Sequence, residues 1–151
     1  MSALQAEPTT LFAPGHTATV SFNAACEAID RAHAVLREPQ SSLRRWRCLS
    51  EILAARKAFL NHSTVCTSAD GPVAHLLKQK PRLTADVGRL GDDHVEIRHE
   101  FDGLIARASR QDGVDISPAE IDVLARRLAK HKFTSTGLAF EWANRDIGGE
   151  G

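Results

Sequence analysis

Leu83, Val87, Leu90, Ile97, Phe101 and Leu104 recur at steps of three, four and, once, seven residues. That rhythm keeps one apolar stripe on one side of an α-helix. His94 stands inside the seven-residue gap, so an imidazole fills a place where a leucine is expected. Three other stretches share the period. Phe22, Cys26, Ile29, Ala32 or His33, and Leu36 line a first helix over about residues 17–38. Pro39 stops it, because the residue before a proline is pushed out of the helical region. Trp46, Leu49, Ile52, Leu53, Phe59 and Leu60 line a second helix, with Ser41 or Ser42 as cap, running to about Thr67. "SADGP" (68–72) breaks the chain, and "VAHLLK" adds a short helical piece.

Pro81 suits the first turn of a third helix that reaches about Arg110. Gly88, Gly91 and Gly103 either weaken it, by up to about 1 kcal/mol each relative to alanine, or permit close helix packing. "SPAE" (117–120) opens the last helix, with Ser117 as cap, Pro118 in the first position and Glu120 closing a capping box. Ile121, Leu124, Leu128, Leu138 and Trp142 share its apolar face, and Gly148 and Gly149 end it. No strand-like alternation competes, and no repeat of 20–50 residues is visible. The expectation is an all-α, antiparallel up-down-up-down four-helix bundle. Residues 1–15 read as a flexible N-terminal arm, 16–147 as the bundle and 148–151 as a tail.

Several function classes are excluded by composition. Lys+Arg and Asp+Glu both total 19, so no basic excess argues for nucleic acid. No apolar run approaches the roughly 18 residues that span a bilayer, so no membrane partner is expected. The N-terminus lacks a basic start followed by an apolar core, so no signal peptide is expected. Cys26, Cys48 and Cys66 are odd in number and widely spaced, which fits a reducing cytoplasm. No nucleophile–base pair, phosphate loop or nucleotide fingerprint is legible. The patch Arg44, Arg45, Arg47 beside Trp46 reads as a solvated helix face.

Seven histidines remain to be placed. His94, His131, His62 and His33 each continue an apolar stripe, whereas His99 lies off its stripe. In an antiparallel pair, residues equally far from the turn lie at one height. His94 is 19 residues before Gly113 and His131 is 18 after it. About a turn near Gln79, His62 is 17 before and His94 is 15 after, level within about 3 Å. His33 fails the same test, being offset from His62 by about 24 Å along the axis. His16 is the better fourth candidate. Buried imidazoles need partners, since an unsatisfied polar group costs roughly 1–3 kcal/mol, and a transition metal can be that partner. Cys66, one turn from His62, can add a thiolate, and Asp93 beside His94 can ligate or orient.

"LNHSTVC" (60–66), "GDDHVEI" (91–97) and "AKHKFTSTGLAFEW" (129–142), one histidine per helix, resemble the hemerythrin-like (HHE cation-binding) family. The resemblance implies a four-helix bundle holding non-haem iron through histidines and carboxylates. The sequence departs from that pattern at three places. Cys66 stands where HxxxE puts a glutamate, Arg98 where HxxxH puts a histidine, and Ser135 and Thr136 where the last helix shows a carboxylate. A mononuclear or vestigial site is easier to accommodate than the dinuclear one.

Two readings stay open. One is a cytoplasmic bundle binding iron, or else zinc, through His62, His94, His131, Cys66 and His16, for sensing, storage or binding of O2 or NO. The other is a metal-free module whose bundle face or glycine-rich tail binds a protein. A bis-histidine haem bundle is a weaker third.

Overall fold

The computed structural model describes residues 13–110 and 115–147, with side chains for 17–110 and 115–138. Six elements follow one another: α1 (Ala13–Leu36), α2 (Ser42–Thr67), α3 (Pro72–Gln79), a 3-10 turn (Pro81–Leu83), α4 (Thr84–Ala108) and α5 (Pro118–Ile147). No strand occurs among the described residues. None of their helices is long and apolar enough to cross a membrane.

The starts of the helices follow local chemistry. Ser41 is the cap of α2, its hydroxyl accepting from the Arg44 N–H at 3.0 Å. Ser117 and Glu120 form the expected box at α5. The Glu120 N–H donates to the Ser117 hydroxyl, and the Ser117 N–H donates to the Glu120 carboxylate at 3.1 Å. Pro81 opens a 3-10 turn rather than α4 itself, which begins three residues later at Thr84.

Alanine-rich α1 lies closest to its neighbour. Ala18, Ala25, Ala28 and Ala32 are buried, and α2 offers small Ala55 and Cys48 among its own buried residues. Among the described residues, contact between these two helices is the most extensive. Arg31 pairs with Glu51 at 2.8 Å, and Asn61 donates to the Ser21 hydroxyl at 2.5 Å. Helix α2 also touches α4, α4 touches α5, and α5 touches α1, so the four long helices close a ring of contacts.

Three expectations are corrected. Trp46 and Leu53, read as part of the inner face of α2, are exposed, at 60% and 46%. Helix α2 carries more apolar side chains than one stripe holds. The stripe through Cys48, Ile52, Ala55, Phe59 and His62 wins the interior. The arginines beside Trp46 are not simply solvated. Arg44 donates to the carbonyls of Leu36 and Glu38 at 3.2 and 2.9 Å. Arg45 donates to those of Ala108, at 2.7 Å, and Arg110. Both close helix C-termini, where carbonyls lack partners and the dipole favours a cation.

The third correction falls on one of the two readings of the α4 glycines, that of close packing. A Cβ on Gly88, Gly91 or Gly103, or on Gly137 of α5, would meet nothing within 4 Å. They do not permit close packing. Alanine at each should therefore stabilise the protein by up to about 1 kcal/mol. Denaturant unfolding of the four single variants measures this, and a loss of stability at any of them would contradict it. Gly71 is different. A Cβ there would lie 2.3 Å from the Val65 carbonyl oxygen and 2.9 Å from that of Cys66. Only glycine lets the start of α3 tuck against the end of α2.

Two apolar clusters fill the interior. The larger one contains Phe22, Ile29, Ile52, Phe59, Ile97, Phe101, Leu124 and Leu128. The smaller one joins Leu83, Val87, Leu90 and Leu138, with Val73, Leu76 and Leu77 of α3 packed against it. Along α4, His94 falls between Leu90 of one and Ile97 of the other, and along α5 His131 falls between Leu128 and Leu138. A polar layer thus separates the clusters.

Candidate metal centre

Each imidazole of this layer arrives on a different helix, because each continues the stripe that its helix buries. His62 of α2 and His94 of α4 are 7% exposed, and His131 of α5 is 1% exposed. Their ring centroids lie 4.6 Å (His94–His131), 5.3 Å (His62–His94) and 5.6 Å (His62–His131) apart. Phe59 stands beside all three, and Phe22 of α1 lies against His62 and His131.

The two nitrogens of each ring face different ways. The Nδ1 atoms point outward to protein partners. His62 Nδ1 meets the Ala18 carbonyl at 2.7 Å, His131 Nδ1 meets the Asp93 carboxylate at 2.7 Å, and His94 Nδ1 meets the Ser63 hydroxyl at 3.3 Å. The Nε2 atoms point inward. His131 Nε2 is 3.0 Å from that of His94 and 3.4 Å from that of His62. Carbonyl and carboxylate oxygens only accept, so Nδ1 is the donor in His62 and in His131. In the neutral imidazole, Nε2 then carries a lone pair. Two lone pairs aimed at one another from 3.4 Å repel unless something positive lies between them. His94, held by a hydroxyl that can donate or accept, suits either tautomer.

Burial favours the uncharged form of His94 and of His62. It pushes the pKa of His94 down to about 3, helped by the neighbouring His131 and His62. Burial also lowers His62, against an opposing rise from the hydrogen bond to Ala18. The Cys66 thiol is raised to about 11 by burial. Neutral imidazoles are the form that binds a metal.

Cys66 comes to the same place. Its sulfur lies 3.8 Å from Nδ1 and 3.7 Å from Nε2 of His62. Ligand atoms of His62, Cys66 and His94 all lie within 4.8 Å of one another. Asp93 is next to His94 in sequence but serves His131 on the facing helix. His33 stays away from the layer and pairs with Asp122 at 3.0 Å, and His99 is exposed. The side chains of His16, Glu141 and Trp142 lie outside the described residues.

Sequence reasoning did not find the Ala18 carbonyl, Ser63 or the aromatic wall. A backbone acceptor carries no side-chain signal. Ser63 directly follows His62, so no period marks it. Phe22 and Phe59 read simply as core. His62, Cys66, His94 and His131 form a buried cluster that can bind a metal ion. No known protein family, curated protein or solved structure matches the chain.

Proposed function

We propose that this chain is a metal-binding helical bundle holding one transition-metal ion through Nε2 of His62, His94 and His131. One observation carries the reading. Every Nδ1 is engaged by an outward partner, while His131 Nε2 lies 3.0 Å from that of His94 and 3.4 Å from that of His62. Metal-ligating histidines almost always donate their other N–H to a carboxylate, a carbonyl or water. Tetrahedral coordination at about 2.0–2.1 Å sets ligand nitrogens about 3.4 Å apart, and the two separations from His131 Nε2 are 3.0 and 3.4 Å.

The proposed topology is up-down-up-down. Contacts between neighbouring helices support it, because partner numbers fall in one helix as they rise in the other. Ser21 meets Asn61 and Arg31 meets Glu51; Asp93 meets His131 and Arg107 meets Glu120. The hemerythrin-like reading keeps its bundle and its histidine-bearing helices. Its bridged iron pair loses support, because Asp93, the carboxylate hydrogen-bonded to the layer, is taken up by His131. Three imidazoles suit iron and zinc alike, and a single site suits sensing or structural use better than storage.

Elemental analysis of untagged protein tests the proposal. The expected result is about one equivalent of metal per chain, with His94→Gln and His131→Gln each losing most of it. Asp93→Asn should weaken affinity by about 10–100-fold through its effect on His131. Metal far below one equivalent, insensitive to these variants, overturns the reading. The layer would then be a closed hydrogen-bond network. Cys66 would donate to His62, Ser63 to His94 and His94 to His131, as their spacings also allow. That outcome favours a metal-free interaction module.

A further inference from the structure

We infer that Cys66 supplies a fourth, thiolate ligand and closes the site as a tetrahedral centre of three imidazole nitrogens and one sulfur. The inference rests on the three-histidine reading and deepens it. A centre of this kind is a structural one, in which the ion pins three helices together and leaves no position for an exogenous ligand.

The first support is placement. His62 and Cys66 are four residues apart on α2, one turn of helix, so both face the same side. The same spacing lets two side chains of one helix grip one ion in other metal sites. The sulfur is 3.7 Å from His62 Nε2. Bond lengths of about 2.3 Å to sulfur and 2.0–2.1 Å to nitrogen require about 3.6 Å between those atoms in a tetrahedron. The sulfur is nearly equidistant from both ring nitrogens, so it stands beside the ring rather than on the axis of the Nε2 lone pair. Ligation therefore requires the sulfur to turn about the Cα–Cβ bond of Cys66 toward the His62 Nε2 side. Cys66 stands in the last turn of α2 and is half-buried, so it is not locked in the closed core.

The second support is charge. A divalent ion bound by neutral imidazoles leaves two positive charges in a buried layer, and isolated buried charge is costly. The Asp93 carboxylate behind His131 offsets one. A thiolate at Cys66 offsets the other. The third support is the absence of a competitor. Among the described residues, Cys66 is the one cysteine grouped with these histidines, its sulfur lying within 4.8 Å of ligand atoms of both His62 and His94. Beyond the layer lies an apolar cluster of Leu83, Val87, Leu90 and Leu138, which offers no donor. Coordination breaks the S–H bond, forms a sulfur–metal bond and releases the proton to solvent, with no change of oxidation state. A donor set of this softness suits zinc and cobalt(II).

Cobalt(II) titration of the untagged, chelator-treated full chain is the test. The wild-type protein should take up one equivalent. It should show tetrahedral d–d bands and an intense sulfur-to-cobalt charge-transfer band in the near ultraviolet. Cys66→Ser should keep the d–d bands, lose the charge-transfer band and bind at least tenfold more weakly. Cys26→Ser and Cys48→Ser should leave the band unchanged. The wild-type spectrum carries the test even if a variant folds poorly. Bound cobalt without that band, or a band that survives in Cys66→Ser, overturns the thiolate ligand and leaves the three-histidine site standing. No cobalt uptake by the wild-type chain overturns both.

Discussion

Phe59→Ala should lower the free energy of unfolding by about 3–5 kcal/mol, the range for deleting a fully buried phenyl ring. Phe59 has no exposure at all and sits at the junction of apolar core and polar layer. Its ring centroid lies 6.0 Å from that of Phe101, and 5.7, 5.9 and 6.3 Å from those of His94, His62 and His131. Removal leaves a cavity on the flank of all three imidazoles. A domain of this size is stable by only about 5–15 kcal/mol, so the loss is a large share of the total. Phe59→Leu keeps much of the volume and should cost far less. Denaturant unfolding of both variants, without metal, gives the two numbers. A cost under about 1 kcal/mol for alanine would show that the ring is not packed as described. Metal affinity should fall in the same order, since the imidazoles lose the wall that holds their rings.

The metal-stripped protein should be labile to mild acid. An ordinary histidine titrates near 6.5, whereas burial holds His94 down to about 3 in the folded state. Below pH 6.5 the unfolded chain therefore binds a proton that the folded chain refuses. Stability is complete above that value and declines as the pH falls toward 3, at about 1.4 kcal/mol per pH unit for one such group. At pH 5, His94 alone should account for a loss of about 2 kcal/mol. His62, also lowered by burial, adds to it in the same direction. Denaturant midpoints measured between pH 5 and 7.5 check this, with His94→Leu expected to flatten part of the slope. A flat profile in the parent protein would contradict the burial of both rings as neutral groups. Bound metal should protect above the range in which protons displace it from the imidazoles.

Much of the fold is legible in the sequence because the signals are local. The capping box at Ser117 and Glu120 needs only four residues, and the buried stripe of α4 needs only its own period. The meeting of His62, His94 and His131 was also within reach, since their residue counts from the turns set their heights. The glycines and Trp46 were not. Whether a missing side chain leaves a contact or open space depends on what another helix places opposite, and α4 places nothing against Gly88, Gly91 or Gly103. Likewise α2 carries two apolar stripes, and only the neighbours choose which is buried.

The sequence by itself determined that this chain forms long amphipathic helices and that three imidazoles lie on their buried faces, because helical periodicity is a property of the local chain. The tertiary structure decided which nitrogen of each ring faces inward. That choice depends on the Ala18 carbonyl of α1, the Asp93 carboxylate across from His131 and the Ser63 hydroxyl across from His94. Each of these partners lies on a different helix from the ring it holds. Hydrogen-bond direction between helices is a matter of distance in space, which no spacing along one helix encodes.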